Sequence, residues 1–110
     1  MKSFRAFGIS MLISLPVIAN PFNDALLAKS SADRASAMAE VLQKSGKACA
    51  KVTRTFLQGS DADDAAYWNA MCSNGNSYAI QIPANPGASS RIMECSVMEA
   101  NGAPCFEPME

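Results

Sequence analysis

The sequence contains no histidine. That removes the side chain most often used as general base or metal ligand near neutral pH, and with it the usual Ser-His and Cys-His nucleophile pairs. Lysine and arginine are few and scattered, 9 against 10 aspartates and glutamates. The clustered positive charge that grips a phosphate backbone is therefore missing. No glycine-rich phosphate cradle occurs, and no CxxC pair of the kind usual in zinc and thioredoxin-like redox sites. No predominantly apolar run reaches the roughly 20 residues needed to cross a bilayer. Tryptophan occurs once, as Trp68.

The one notable apolar run lies at the start. Lys2 and Arg5 precede residues 6–15 (AFGISMLISL), Pro16 interrupts, and Val17, Ile18 and Ala19 offer the modest side chains a signal peptidase accommodates. This order is that of a secretory signal peptide. Cleavage is expected after Ala19, with Asn20 as the new N-terminus. No cysteine stands near the cut to carry a lipid anchor. Residues 1–19 are thus read as signal, 20–30 as a lead-in segment, and 31–110 as one small α+β disulfide domain. Without Lys2 and Arg5 the chain keeps 7 basic and 10 acidic residues, a net charge of -3. That mild acidity disfavours both nucleic acid and an anionic membrane surface as partners. The expected location is the periplasm or the exterior, with no stable membrane insertion once the signal is removed.

The four cysteines, Cys49, Cys72, Cys95 and Cys105, all lie in the exported part. An oxidising compartment makes two disulfides the expectation, and a domain this small gains stability from cross-links. Four cysteines allow three connectivities.

From residue 31 the apolar residues recur at helical spacing, Ala32, Ala35, Met38, Ala39 and Leu42 forming one stripe. Ser30 with Asp33 reads as the starting cap, and Gly46 is placed to end the helix in a left-handed turn. Beyond Cys49 the helical period disappears. Residues 49–57, 66–72, 77–82 and 91–98 read as four strands. The expected fold is α+β: one N-terminal helix followed by an antiparallel four-stranded sheet, stapled by disulfides.

Asn74-Gly75 is the strongest hairpin signal in the chain. With those two residues as turn centres, Met71 faces Tyr78, Asn69 faces Ile80 and Tyr67 faces Ile82. Facing residues share a side of the sheet, so Tyr67, Met71, Tyr78, Ile80 and Ile82 become the helix-covered side. Trp68 and Cys72 fall on the other. A slip of one residue would reverse this assignment. Cys72 and Cys95 would stand two strand spacings apart, about 9.6 Å, beyond the reach of a disulfide. Pairing Cys49 with Cys72 and Cys95 with Cys105 is favoured.

Asp61, Asp63 and Asp64 are the densest carboxylates, but the twelfth position counted from Asp61 is Cys72, not the glutamate of a calcium loop. They read as a solvated loop. Lys51 and its neighbours form no Ser/Lys motif. No catalytic, metal or cofactor-binding residue is assigned, and no cofactor is expected. Trp68 has two readings, a core aromatic or an exposed anchor for a partner. The register above, which places it away from the helix, makes it the candidate partner-binding residue.

Cys49, Gly59, Tyr67-Trp68 before Cys72, then Gly75, Tyr78, Cys95 and Cys105-Phe106 resemble an uncharacterised family of small exported alphaproteobacterial proteins with four cysteines. The resemblance covers residues 48–106. It implies a Gram-negative periplasm and carries over no functional residues. The expected role is a non-enzymatic module that binds a protein or an envelope component through its sheet face. The alternative is an inhibitor of an extracytoplasmic enzyme, in the manner of periplasmic lysozyme inhibitors.

Overall fold

A computed structural model describes residues 19–109. The expected signal lies outside this range except for its last residue, Ala19. Two helices lead the chain, α1 (Pro21–Ala28) and α2 (Ser31–Lys44). Four strands follow, β1 (Val52–Ser60), β2 (Ala66–Cys72), β3 (Ser77–Ile82) and β4 (Arg91–Glu94), and a short helix, α3 (Cys95–Ala100), comes last. The strands form one antiparallel sheet in the order β1-β2-β3-β4. The α+β architecture is as the sequence predicts, with three helices in place of one.

The main helix forms where its caps place it. The Ser30 side chain accepts from the Asp33 amide at 3.1 Å, satisfying one of the open donors at the helix start. At the far end Gly46 adopts φ +80°. Gly46 and Lys47 then donate backward to the carbonyls of Gln43 and Leu42, a Schellman closure. The stripe of α2 buries Met38, Ala39 and Leu42 against the sheet.

The first added helix grows from the lead-in. Asn20 is its N-cap, accepting from the Asn23 amide at 3.0 Å, and Pro21 opens it where its missing N–H costs nothing. The second replaces the far half of the fourth expected strand. The sheet ends at Glu94, and residues 95–100 turn through a helix that Asn101 and Gly102 close, Gly102 at φ +81°. Ala103 donates to the Met98 carbonyl at 2.9 Å, the same closure as on α2.

The hairpin register differs by one residue from that expected. Gly75 donates to the Cys72 carbonyl, and the Cys72 amide donates to that of Asn76. Only Gly75, at φ +92°, is left-handed there; Asn74 is not. The loop is therefore a three-residue turn ending in a glycine bulge rather than a two-residue turn. Ala66 now faces Ile82, Trp68 faces Ile80 and Ala70 faces Tyr78. The inner side thus holds Ala66, Trp68, Ala70 and Cys72, while Tyr67, Asn69 and Met71 turn outward. This register places the largest apolar side chain of β2 under the helices, and it brings Cys72 beneath the end of α2, where Cys49 waits.

The two sides of the sheet carry separate cores. The inner one joins Met38, Leu42, Trp68, Ile80 and the Cys49–Cys72 bridge. The outer one is small and gathers Ala79, Cys95 and Cys105, with Met98 and Phe106 packed against them. A C-terminal lobe, α3 with residues 101–109, lies over the outer side.

Candidate functional site

The predicted cysteines pair as favoured, Cys49 with Cys72 and Cys95 with Cys105, at Cα separations of 5.4 and 5.6 Å. The first ties the exit of α2 to the end of β2. The second closes the C-terminal lobe on itself. Neither pair leaves a free thiol among the described residues.

Trp68 is not the exposed anchor that the expected register made it. It is 2% exposed. Its indole N–H donates to Asn23 Oδ1 at 2.7 Å, and the Arg34 guanidinium stands 5.4 Å from the ring centroid. The one-residue shift in the hairpin is the cause, because it exchanges the two faces of β2. Trp68 therefore holds α1 in place instead of meeting a partner. Arg34 adds to this by donating to the carbonyls of Leu26, Leu27 and Lys29, the open acceptors at the end of α1. Asn20, 3% exposed, donates to the carbonyls of Asp64 and Ile82 and fixes the other end.

The outer side of the sheet is held by a second polar set. Asn69 is fully buried and donates to Gln58 Oε1 at 2.8 Å. Its own Oδ1 accepts from the Phe106 amide at 2.7 Å. Gln58 donates to the carbonyls of Pro104 and Glu107. Gln58 is the extra residue of a bulge between Leu57 and Gly59. Every buried amide here has a partner, which is what keeps such groups from destabilising a core. Phe106 sits at φ +62°. Its ring lies 6.3 Å from that of Phe56, and Arg54 stacks over it at 4.4 Å. A binding surface through the sheet face is accordingly closed over this region by the chain's own tail.

The aspartate loop turns inward on itself. Asp61 accepts from the amides of Asp63 and Ala65 and from the Tyr67 hydroxyl at 2.8 Å. The hydroxyl bond, ahead of the amide bonds, holds the Asp61 carboxyl below its ordinary value. Burial, then the bond to Asp61, pushes the Tyr67 phenol up. A phenol held protonated is a poor nucleophile, and the cluster is a loop brace. Among the described residues no three His, Cys, Asp or Glu side chains come together as a metal cage.

What the structure does build is an apolar groove of about 370 Å³ between α1, α2 and the connection from β3 to β4. Met38, Ile80 and Ile82 form its floor; Leu26, Val41 and Pro86 stand along its walls. Phe22, 45% exposed, flanks it on α1. Lys29 is the one ionisable residue in the lining. The volume lies in the range of about 300–1,000 Å³ usual for small-molecule sites. Sequence reading missed this groove because one wall is α1, taken there as a lead-in, and another is a turn-rich loop taken only as a connector. The Asn20-Pro21 pair, a cap followed by a first-turn proline, was the signal that could have revealed the first wall.

Compared with protein-family models, with curated proteins and with solved structures, the chain has no significant match to any of them.

Proposed function

We propose that this chain is an exported, non-enzymatic binding module that holds an apolar part of a protein or envelope component in the groove between α1, α2 and the β3–β4 connection. One observation carries the reading: an open groove is lined by apolar side chains, with buried Met38, Ile80 and Ile82 beneath it. Water in contact with its apolar walls is readily displaced by apolar matter. The two disulfides support an oxidising compartment, and the n-region, h-region and cleavage-site order of residues 1–19 supports export. The periplasm is the compartment that the family resemblance implies. The groove, rather than the sheet face or Trp68, is the working surface.

The test is a titration with the neutral apolar fluorophore N-phenyl-1-naphthylamine, using protein recovered from expression of the full chain. Bound dye should brighten and shift to the blue. Val41→Glu, at a half-buried wall position, should weaken it at least tenfold while near-UV circular dichroism stays unchanged. Equal affinity in the two proteins, or no binding in either, would refute the groove as the site.

A further inference from the structure

The lining of the groove is unlike the rest of the chain in charge. Between residues 20 and 110 acids outnumber bases by 10 to 7, yet the lining contains one base, Lys29, and no acid. Lys29 follows the last residue of α1 and is exposed. Among the described residues it is in no ion pair. Lysine characteristically runs its methylenes along apolar surface and keeps the ammonium in water. Three carbonyls at this end of α1, those of Leu26, Leu27 and Lys29, already accept from Arg34. The cation is therefore available at the margin of an apolar slot.

We infer that the groove takes a free, single-chain amphiphile with a carboxylate head, the alkyl chain lying between Leu26 of α1 and Val41 of α2 and the carboxylate meeting Lys29. The inference rests on the proposed binding role and narrows its ligand. A volume of about 370 Å³ suits one alkyl chain, whereas a two-chain lipid would leave its second chain in water. A cationic head would meet Lys29 with like charge. A neutral head would gain the chain's burial and nothing further. An exposed ion pair is worth less than about 1 kcal/mol, which is on the order of fivefold in affinity. Most of the binding must therefore come from the chain, and the head sets the preference.

The experiment displaces bound N-phenyl-1-naphthylamine with decanoate, decanol or decyltrimethylammonium, each below its aggregation concentration. Decanoate should displace up to about fivefold more effectively than decanol, and the cation should be weakest. Lys29→Glu should abolish that order, bringing the decanoate-to-decanol ratio to one or below while the dye still binds. Raising the salt concentration should shrink the decanoate advantage in the wild type only, since exposed charges are screened. Decanoate and decanol of equal strength in the wild type, or an order unchanged in Lys29→Glu, would overturn the inference and leave the groove reading standing. Absence of dye binding removes both. Sedimentation showing that the groove is closed by a second copy of the chain would also overturn it.

Discussion

The Trp68 indole nitrogen lies 2.7 Å from Asn23 Oδ1, across 45 residues of sequence. That bond joins the middle of the sheet to the first helix, and with it one wall of the groove to its floor. Trp68 and Asn23 are both buried, at 2% and 9% exposure, so neither group has water as an alternative partner. Asn23→Ala should destabilise the protein by about 1–3 kcal/mol, the cost of leaving a buried donor unsatisfied. Trp68→Ala should cost about 3–5 kcal/mol through the cavity as well. Thermal melts of both variants and of the double variant measure their coupling. Additive losses would mean that the bond does not hold α1 to the sheet.

The two disulfides close separate parts of the molecule. Sequence separations of 23 and 10 residues correspond to about 3 kcal/mol each in chain-entropy terms, the longer loop contributing slightly more. Replacing Cys49 and Cys72 together by alanine should lower the melting temperature and loosen the inner core. Replacing Cys95 and Cys105 should loosen chiefly the C-terminal lobe. Intact mass with thiol alkylation should show no added group before reduction and four after it. Alkylation of any cysteine without reduction would contradict the pairing.

Asn69 should control the tail. Its Oδ1 holds the Phe106 amide, and its amide group holds Gln58, which in turn holds the carbonyls of Pro104 and Glu107. Asn69→Leu removes the shared partner and should cost about 1–3 kcal/mol. Amide hydrogen exchange should accelerate at Phe106 and at Met109, whose amide donates to the Gln58 carbonyl, and stay slow in α2. Uniform acceleration over the whole chain would instead mark Asn69 as a general core residue.

Acid should open the aspartate loop first. Asp61 is held below its ordinary value, mainly by the Tyr67 hydroxyl and also by two backbone amides. Its contribution is therefore present above the ordinary aspartate value of about 3.9 and is lost as pH falls through the lower folded value. In the wild type, exchange at the Ala65 amide should rise as pH drops through that range, after correction for the intrinsic rate. Asp61→Asn should show the faster exchange already at neutral pH. A flat wild-type profile would contradict the brace.

Much of the local structure was readable in advance because its causes are local. Ser30, Asp33 and Gly46 bound the main helix through hydrogen bonds within a few residues. The alternation of residues 66–72 and 77–82 marks two strands whatever their pairing. The favoured disulfide pairing also held, since Cys49–Cys72 spans neighbouring elements on either register. Residues 95–98 misled because Val97 and Met98 continue an apolar strand pattern, whereas the Cys95–Cys105 bridge and the closure at Gly102 bend the chain into α3.

What the sequence by itself determined is the main helix, the positions of the four strands as far as Glu94 and their antiparallel order, because capping, periodicity and strand reach are short-range properties; the cysteine pairing it favoured without fixing. Which side of β2 faces inward was decided only in the tertiary structure. A two-residue and a three-residue turn at Asn74-Gly75 differ little locally, yet they exchange every side chain of the strand between faces. Burial of Trp68 beneath α2, its bond to Asn23 and the Gln58–Asn69 clamp opposite all belong to one register. The groove follows from that choice, since its floor and its first wall meet only when Trp68 points inward and draws α1 onto the sheet.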